Sequence, residues 1–213
     1  MSQLPNAHTP IGVLGGTFDP PHNGHLVIAH AALTQLALDR VLFAPTSQPP
    51  HKLGNHITAI EHRLEMLRLA IASHPQFTLS RIDIDRAGPT YTVDTMRLLR
   101  EQFGNAVELY FIMGMDSLAS LLTWRAPEKL IQLCRLAVFN RPGFSVNLDE
   151  LEMKLPGLRE RVVILTAPTL DIAASELQRR VRAGISIADW VPVPVVDYIE
   201  KQGLYRIQKE TSR

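Results

Sequence analysis

Short apolar runs alternate with helical patterns along nearly the whole chain, and that alternation narrows the fold more than any other feature. Ile11–Leu14, Val41–Ala44, Val107–Met113, Leu136–Phe139 and Val162–Leu165 read as buried strands. Phe77–Leu79 and Ile82–Ile84 are shorter strand candidates. Between them, apolar residues recur at helical spacing: Leu26, Ala29, Leu33, Leu36 and Ala37 form one face, and Val93, Met96, Leu99 and Phe103 another. Thr58 with Glu61, and Ser175 with Gln178, are capping-box patterns that open helices running to Ile71 and towards Gly184. Short helices are expected over Met115–Leu122 and from Pro127, with a weak one within 144–160. A last helix starts at Pro194 and is ended by Gly203. Strand and helix in strict alternation predict an α/β protein: a doubly wound parallel sheet, helices on both faces, and a small C-terminal helical part.

The chain has 213 residues, enough for one large domain with a substantial core. Residues 1–10 read as an N-terminal extension, 11–206 as a single domain and 207–213 as a tail. Net charge is +1 and aromatic content 6%, which gives no case for a nucleic-acid partner. No secretory signal and no apolar run of the ~18 residues needed to span a membrane is visible. Cys134 is the only cysteine, so disulfide frameworks and cysteine zinc clusters within one chain are excluded, and it reads as a buried small hydrophobe. A soluble, cytoplasmic setting fits this cysteine usage. The remaining histidines show no metal-ligand spacing, and oligomeric state is left open.

The chemistry concentrates after the strands, where open α/β sheets bind ligands at the carboxyl ends. Gly15-Gly16-Thr17-Phe18-Asp19-Pro20-Pro21-His22-Asn23-Gly24-His25 lies between the first strand and the first helix. Glycines there allow a tight turn and close backbone approach. N–H groups at the helix start, together with His22 and His25, suit a phosphate chain. After the second strand, the stiff loop 45–52 ends in His51 and Lys52, and Lys52 could neutralise phosphate oxygens. Gly88-Pro89-Thr90-Tyr91-Thr92 precedes a helix, so Thr90 or Thr92 can cap it, or the helix start can receive a small carboxylate. Trp124 suits a core position or an aromatic stacking platform. Arg63 reads as solvated, and Arg179, Arg180 and Arg182 as a surface run.

His22-Asn23-Gly24-His25 resembles the (His/Thr)-x-Gly-His mark of the nucleotidyltransferase superfamily. The ordered set of Gly15–His25, Pro49–Lys52, Tyr91-Thr92, Gly114–Leu118, Thr123-Trp124, Arg141–Gly143 and Gly203–Arg206 is similar to the bacterial nicotinate-mononucleotide adenylyltransferases. That resemblance implies a Rossmann-like nucleotidyltransferase fold. It also implies adenylyl transfer from ATP, accompanied by Mg²⁺, to nicotinate mononucleotide, giving deamido-NAD for NAD biosynthesis. It assigns His22, His25 and Lys52 to the ATP phosphates. Gly15, Gly16, Thr17, Gly24, Gly114, Asp116, Arg141 and Ser175 fall to the rest of the ATP site. Thr90, Tyr91, Thr92, Trp124 and Arg125 fall to nicotinate mononucleotide. No resident metal cage is expected, because Mg²⁺ would be held by the phosphates and water.

The chain departs from that family over Ile172–Gln178. A hydroxyl is lost at Ala173, and the usual arginine is Gln178. Ser175 remains, able to cap the helix or meet a phosphate. Arg179 lies ~100° away around the helix, and Arg182 shares the face of Gln178 one turn on. Two other functions stay in view. One is adenylyl transfer to another acceptor, such as nicotinamide mononucleotide or phosphopantetheine. The other is a non-catalytic nucleotide-binding protein.

Overall fold

A computed structural model describes residues 9–47, 57–86, 88–140, 145–168 and 173–206. Six strands form one sheet: β1 (Ile11–Gly16), β2 (Arg40–Pro45), β3 (Phe77–Leu79), β4 (Leu109–Gly114), β5 (Arg135–Phe139) and β6 (Val162–Leu165). All pair in parallel, in the order β3-β2-β1-β4-β5-β6. The chain winds outward from β1 in one direction, then crosses back to β4 and winds in the other. The gap between the ends of β1 and β4 is therefore the switch point, where a ligand crevice opens.

Alternation along the strands divides the core into two layers. Leu14, Val41, Phe43, Tyr110 and Ile112 face one layer, with buried residues of α1 (Asn23–Gln35), α2 (Ile60–Ile71), α8 (Ala174–Arg182) and α9 (Val193–Gln202). Ile11, Val13, Leu42, Ala44, Leu109, Phe111 and Met113 face the other. That layer is covered by α3 (Thr92–Phe103), α4 (Met115–Ala119), α5 (Pro127–Leu133), α6 (Leu148–Lys154) and α7 (Leu158–Arg161). Period-2 side chains on buried strands dictate this two-sided packing. The C-terminal helices share the first layer: Leu177, Val195 and Ile199 are buried in it.

Several local expectations need correction. Ile82–Ile84 forms a hydrogen-bonded turn, with Ile84 N–H donating to Arg81 O, and no strand. The cap of α2 is Ala59; Thr58 instead gives its N–H to Asp19 and its carbonyl to Arg63. The cap of α8 is Ala173, which leaves Ser175 inside the first turn and exposed. Tyr91 occupies the cap of α3, so neither Thr90 nor Thr92 caps it. In each case a tertiary partner, or a shift of one or two residues in the helix start, overrode a local hydrogen-bonding pattern. Pro194 and Gly203 behave as expected: Pro194 lies in the first turn of α9, and Gly203 closes it in the left-handed conformation. Cys134 is buried, and desolvation pushes its thiol up to about 12.

Candidate active site

The turn from β1 into α1 is built around Phe18. Its ring is 2% exposed and lies edge-on to His25, 4.9 Å between centroids, with Phe43 on another side. Phe18 takes a left-handed backbone conformation (φ 50°), which costs about 1–2 kcal/mol outside glycine. The buried ring offsets that cost. Gly16 makes the placement possible, because a Cβ there would come within 3.1 Å of the Phe18 ring.

His22 caps α1 from extended backbone, and His25 stacks on it, ring centroids 3.7 Å apart. The His22 N–H donates to His25 Nδ1 at 3.2 Å. An accepting Nδ1 leaves the proton of neutral His25 on Nε2, available as a donor. His22 Nδ1 is buried without a hydrogen-bond partner. Desolvation lowers the His22 imidazolium to about 4. Desolvation, then the neighbouring His22, hold His25 well below its usual value. Both rings are therefore neutral in the unliganded protein near pH 7, and an incoming polyanion would favour their charged forms.

These rings line a cleft of about 880 Å³ at the carboxyl ends of β1, β4 and β5, within the size range of small-molecule sites. Gly15, Gly16, Thr17 and Gly24 line it on the β1 side. Gly114 and Asp116 line it at the β4–α4 junction. Gly114 leaves room for the Asp116 carboxylate, which a Cβ there would displace. Thr90, Tyr91, Thr92, Trp124 and Arg125 form the wall on the α3 side. The Arg125 guanidinium lies 4.6 Å over the Tyr91 ring, and half-buried Trp124 meets Phe111 edge-on. The Thr90 hydroxyl pairs with Ser47 at 3.2 Å. Of the residues singled out from the sequence, thirteen thus share one cleft. Ser175 lies outside its lining. Lys52, with His51, and Arg141 fall outside the described residues.

Two buried groups went unread in the sequence. Arg63, 1% exposed, is the reverse of solvated: it donates to the carbonyls of Thr58, Thr17, Thr46 and, at 3.4 Å, Ser47. It thereby joins the ends of β1 and β2 to the start of α2. Its spacing with Leu67 and Ala70 on the buried face of α2 was the available signal. Asp83, also buried and lining the cleft together with Thr95, accepts from the Thr95 hydroxyl at 2.8 Å and from Arg86 at 3.0 Å. Burial raises its carboxyl above the ordinary value despite those donors. On α8, Gln178 sends its amide to the Asp19 carbonyl, while Arg182 donates to Gln178 and Arg179 pairs with Glu176. Neither arginine lines the cleft.

A doubly wound sheet with paired histidines at its switch point defines a nucleotide-binding class, and comparisons with known proteins refine it. Residues 13–180 match the cytidylyltransferase-like family. A probable nicotinate-nucleotide adenylyltransferase of Thermomicrobium roseum is 47% identical over 92% of this chain and 91% of its own length. A protein of the same description from a Roseiflexus species is also 47% identical, over 92% and 98%. The chain belongs to the cytidylyltransferase-like family, among the nicotinate-nucleotide adenylyltransferases. Among solved structures, the Plasmodium falciparum nicotinic acid mononucleotide adenylyltransferase complexed with NaAD shares the fold. It superposes with a TM-score of 0.75 at 22% identity, over 93% of this chain and 98% of that one.

Proposed function

We infer that this enzyme transfers the adenylyl group of Mg-ATP to nicotinate mononucleotide, releasing pyrophosphate and forming deamido-NAD. The observation that carries the reading is one cleft with two unlike ends: stacked histidines at the β1–α1 turn, and an aromatic, hydroxyl-lined wall at the start of α3. The first suits a triphosphate and the second an aromatic ring bearing a carboxylate. The relatives' descriptions support the same pair of substrates.

A phosphate oxygen of nicotinate mononucleotide attacks the α-phosphorus of ATP. The new P–O bond forms as the bond to the bridging oxygen breaks, and pyrophosphate leaves with that electron pair. No enzyme nucleophile is needed, so the protein contributes position and charge. His25 Nε2–H donates to the α-phosphate oxygens as charge develops there. His22 and Lys52 hold the remaining phosphates, and the backbone of Gly15, Gly16, Thr17 and Gly24 lies along them. Asp116, beyond Gly114, takes the ribose, and Arg141 the adenosine half. Trp124 stacks on the pyridine ring, while Thr90, Tyr91, Thr92 and the backbone at Arg125 receive the carboxylate. Mg²⁺ would arrive with ATP, held by its phosphates and water, and the cleft donors suit phosphate oxygens. We place the reaction in the cytoplasm, in keeping with the single buried Cys134.

Chromatography of the products, with parallel pyrophosphate detection, tests the reaction. Equimolar deamido-NAD and pyrophosphate are expected, and His25→Ala should lower kcat by roughly 10²–10³ while the variant stays folded. Bound ATP with no turnover would favour the non-catalytic reading instead.

A further inference from the structure

The C-terminal part of the chain holds the histidine turn by four hydrogen bonds, the longest from Asn23 Nδ2 to the Asp189 carbonyl at 3.4 Å. The Tyr205 hydroxyl donates to Asp19 Oδ1 at 2.6 Å. Gln178 Nε2 donates to the Asp19 carbonyl at 2.7 Å. The Trp190 carbonyl accepts the Asn23 N–H at 2.8 Å, taking the first donor of α1 that a helix start otherwise leaves open. The other Asp19 oxygen accepts from Thr58 N at 3.0 Å, and Asp19 is only 5% exposed. Both ends of the five-residue turn Asp19–Asn23 are therefore anchored from elements more than 150 residues away in sequence. Between the anchors sits His22, and His25 stacks on it from the first turn of α1. Tyr205 itself takes a left-handed backbone conformation (φ 62°), which its buried hydroxyl contact holds in place. Gln178 is hydrogen-bonded to Asp19 and Arg182 and lies outside the cleft lining.

We propose that Tyr205 and Gln178 are positioning residues for adenylyl transfer, which act through Asp19 to hold His25 against the α-phosphate, and His22 against the neighbouring phosphates, in the transition state. The proposal rests on the adenylyl-transfer reading above. Neither side chain touches substrate; each sets the place of a turn whose histidines do. A displacement of about 1 Å at such groups costs on the order of 10²-fold in rate.

Tyr205→Phe keeps the ring and its packing and removes the hydroxyl; Gln178→Ala is the second, independent variant. Each should lower kcat by about 10-fold or more, with KM for both substrates changed less than about twofold. Combined with His25→Ala, the further loss should shrink below about twofold, because the positioned group is gone. Equal losses in both backgrounds, or an unchanged kcat beside a lowered Tm, would overturn the proposal. Imidazole NMR of the unliganded protein gives a reading independent of substrate. The His22 and His25 signals should move in Tyr205→Phe while those of surface His30 stay. Unmoved His22 and His25 signals would overturn the proposal even if deamido-NAD forms. Failure of the wild type to make deamido-NAD would refute the reaction while leaving the imidazole test decisive for the turn.

Discussion

Arg63 ties together the strand ends beneath the site. Its guanidinium satisfies four carbonyls at the ends of two strands and one helix, inside a layer of apolar side chains. Removing it takes the donor from four partly buried acceptors, each worth up to about 1–3 kcal/mol. Arg63→Met should therefore lower stability by about 3 kcal/mol or more in urea unfolding, and a change under 1 kcal/mol would contradict the assigned role. His22 makes a second statement at this scale. Its folded-state value of about 4 lies below the ordinary 6.5. Between those values the unfolded chain binds a proton that the folded chain refuses, so stability falls on acidification through that window and is fully present above it. Tm measured from pH 4 to 7 should decline less steeply at low pH in His22→Asn than in the wild type. ATP should protect the wild type against acid, because the triphosphate favours the charged imidazole.

The junctions between elements are where the sequence was most and least legible. The β1–α1 and β4–α4 turns could be read directly, because glycines, histidines and an aspartate at strand ends have few other uses. The start of α3 was legible only in part: Thr90–Thr92 do line the cleft, but Tyr91 occupies the cap and the Thr90 hydroxyl turns to Ser47. Arg63 and the Gln178–Asp19 contact stayed hidden, because a buried arginine or a long-range amide bond depends on elements that meet only after folding. The capping patterns at Thr58 and Ser175 misled for the same reason. At the β4–α4 junction, Gly114→Ala would force a methyl group into the Asp116 carboxylate. With Asp116 displaced, kcat/KM for ATP should fall roughly 10- to 100-fold, the worth of a hydrogen bond to a charged group. Unchanged ATP kinetics would remove Asp116 from the ribose site.

Over the whole molecule, two windings of one sheet bring separate stretches of sequence to a common crevice. Residues after β1 and after β4 line one side of it and the start of α3 with Trp124 the other, the nucleotide and acceptor sides of the proposed reaction. The C-terminal helices close the first core layer and anchor the histidine turn, so the chain's last third contributes to the site without lining most of it. Alternation of strand and helix was enough to predict the parallel sheet, while the strand order that sets its switch point is read from the structure. The proposed assignment of the acceptor rests instead on the aromatic and hydroxyl wall, whose donors at the start of α3 would favour a pyridine carboxylate over its amide. That choice is the central claim, and one comparison tests it most directly. Steady-state pyrophosphate release with Mg-ATP should give a kcat/KM for nicotinate mononucleotide at least about 10-fold above that for nicotinamide mononucleotide. An equal or greater kcat/KM for nicotinamide mononucleotide would contradict it.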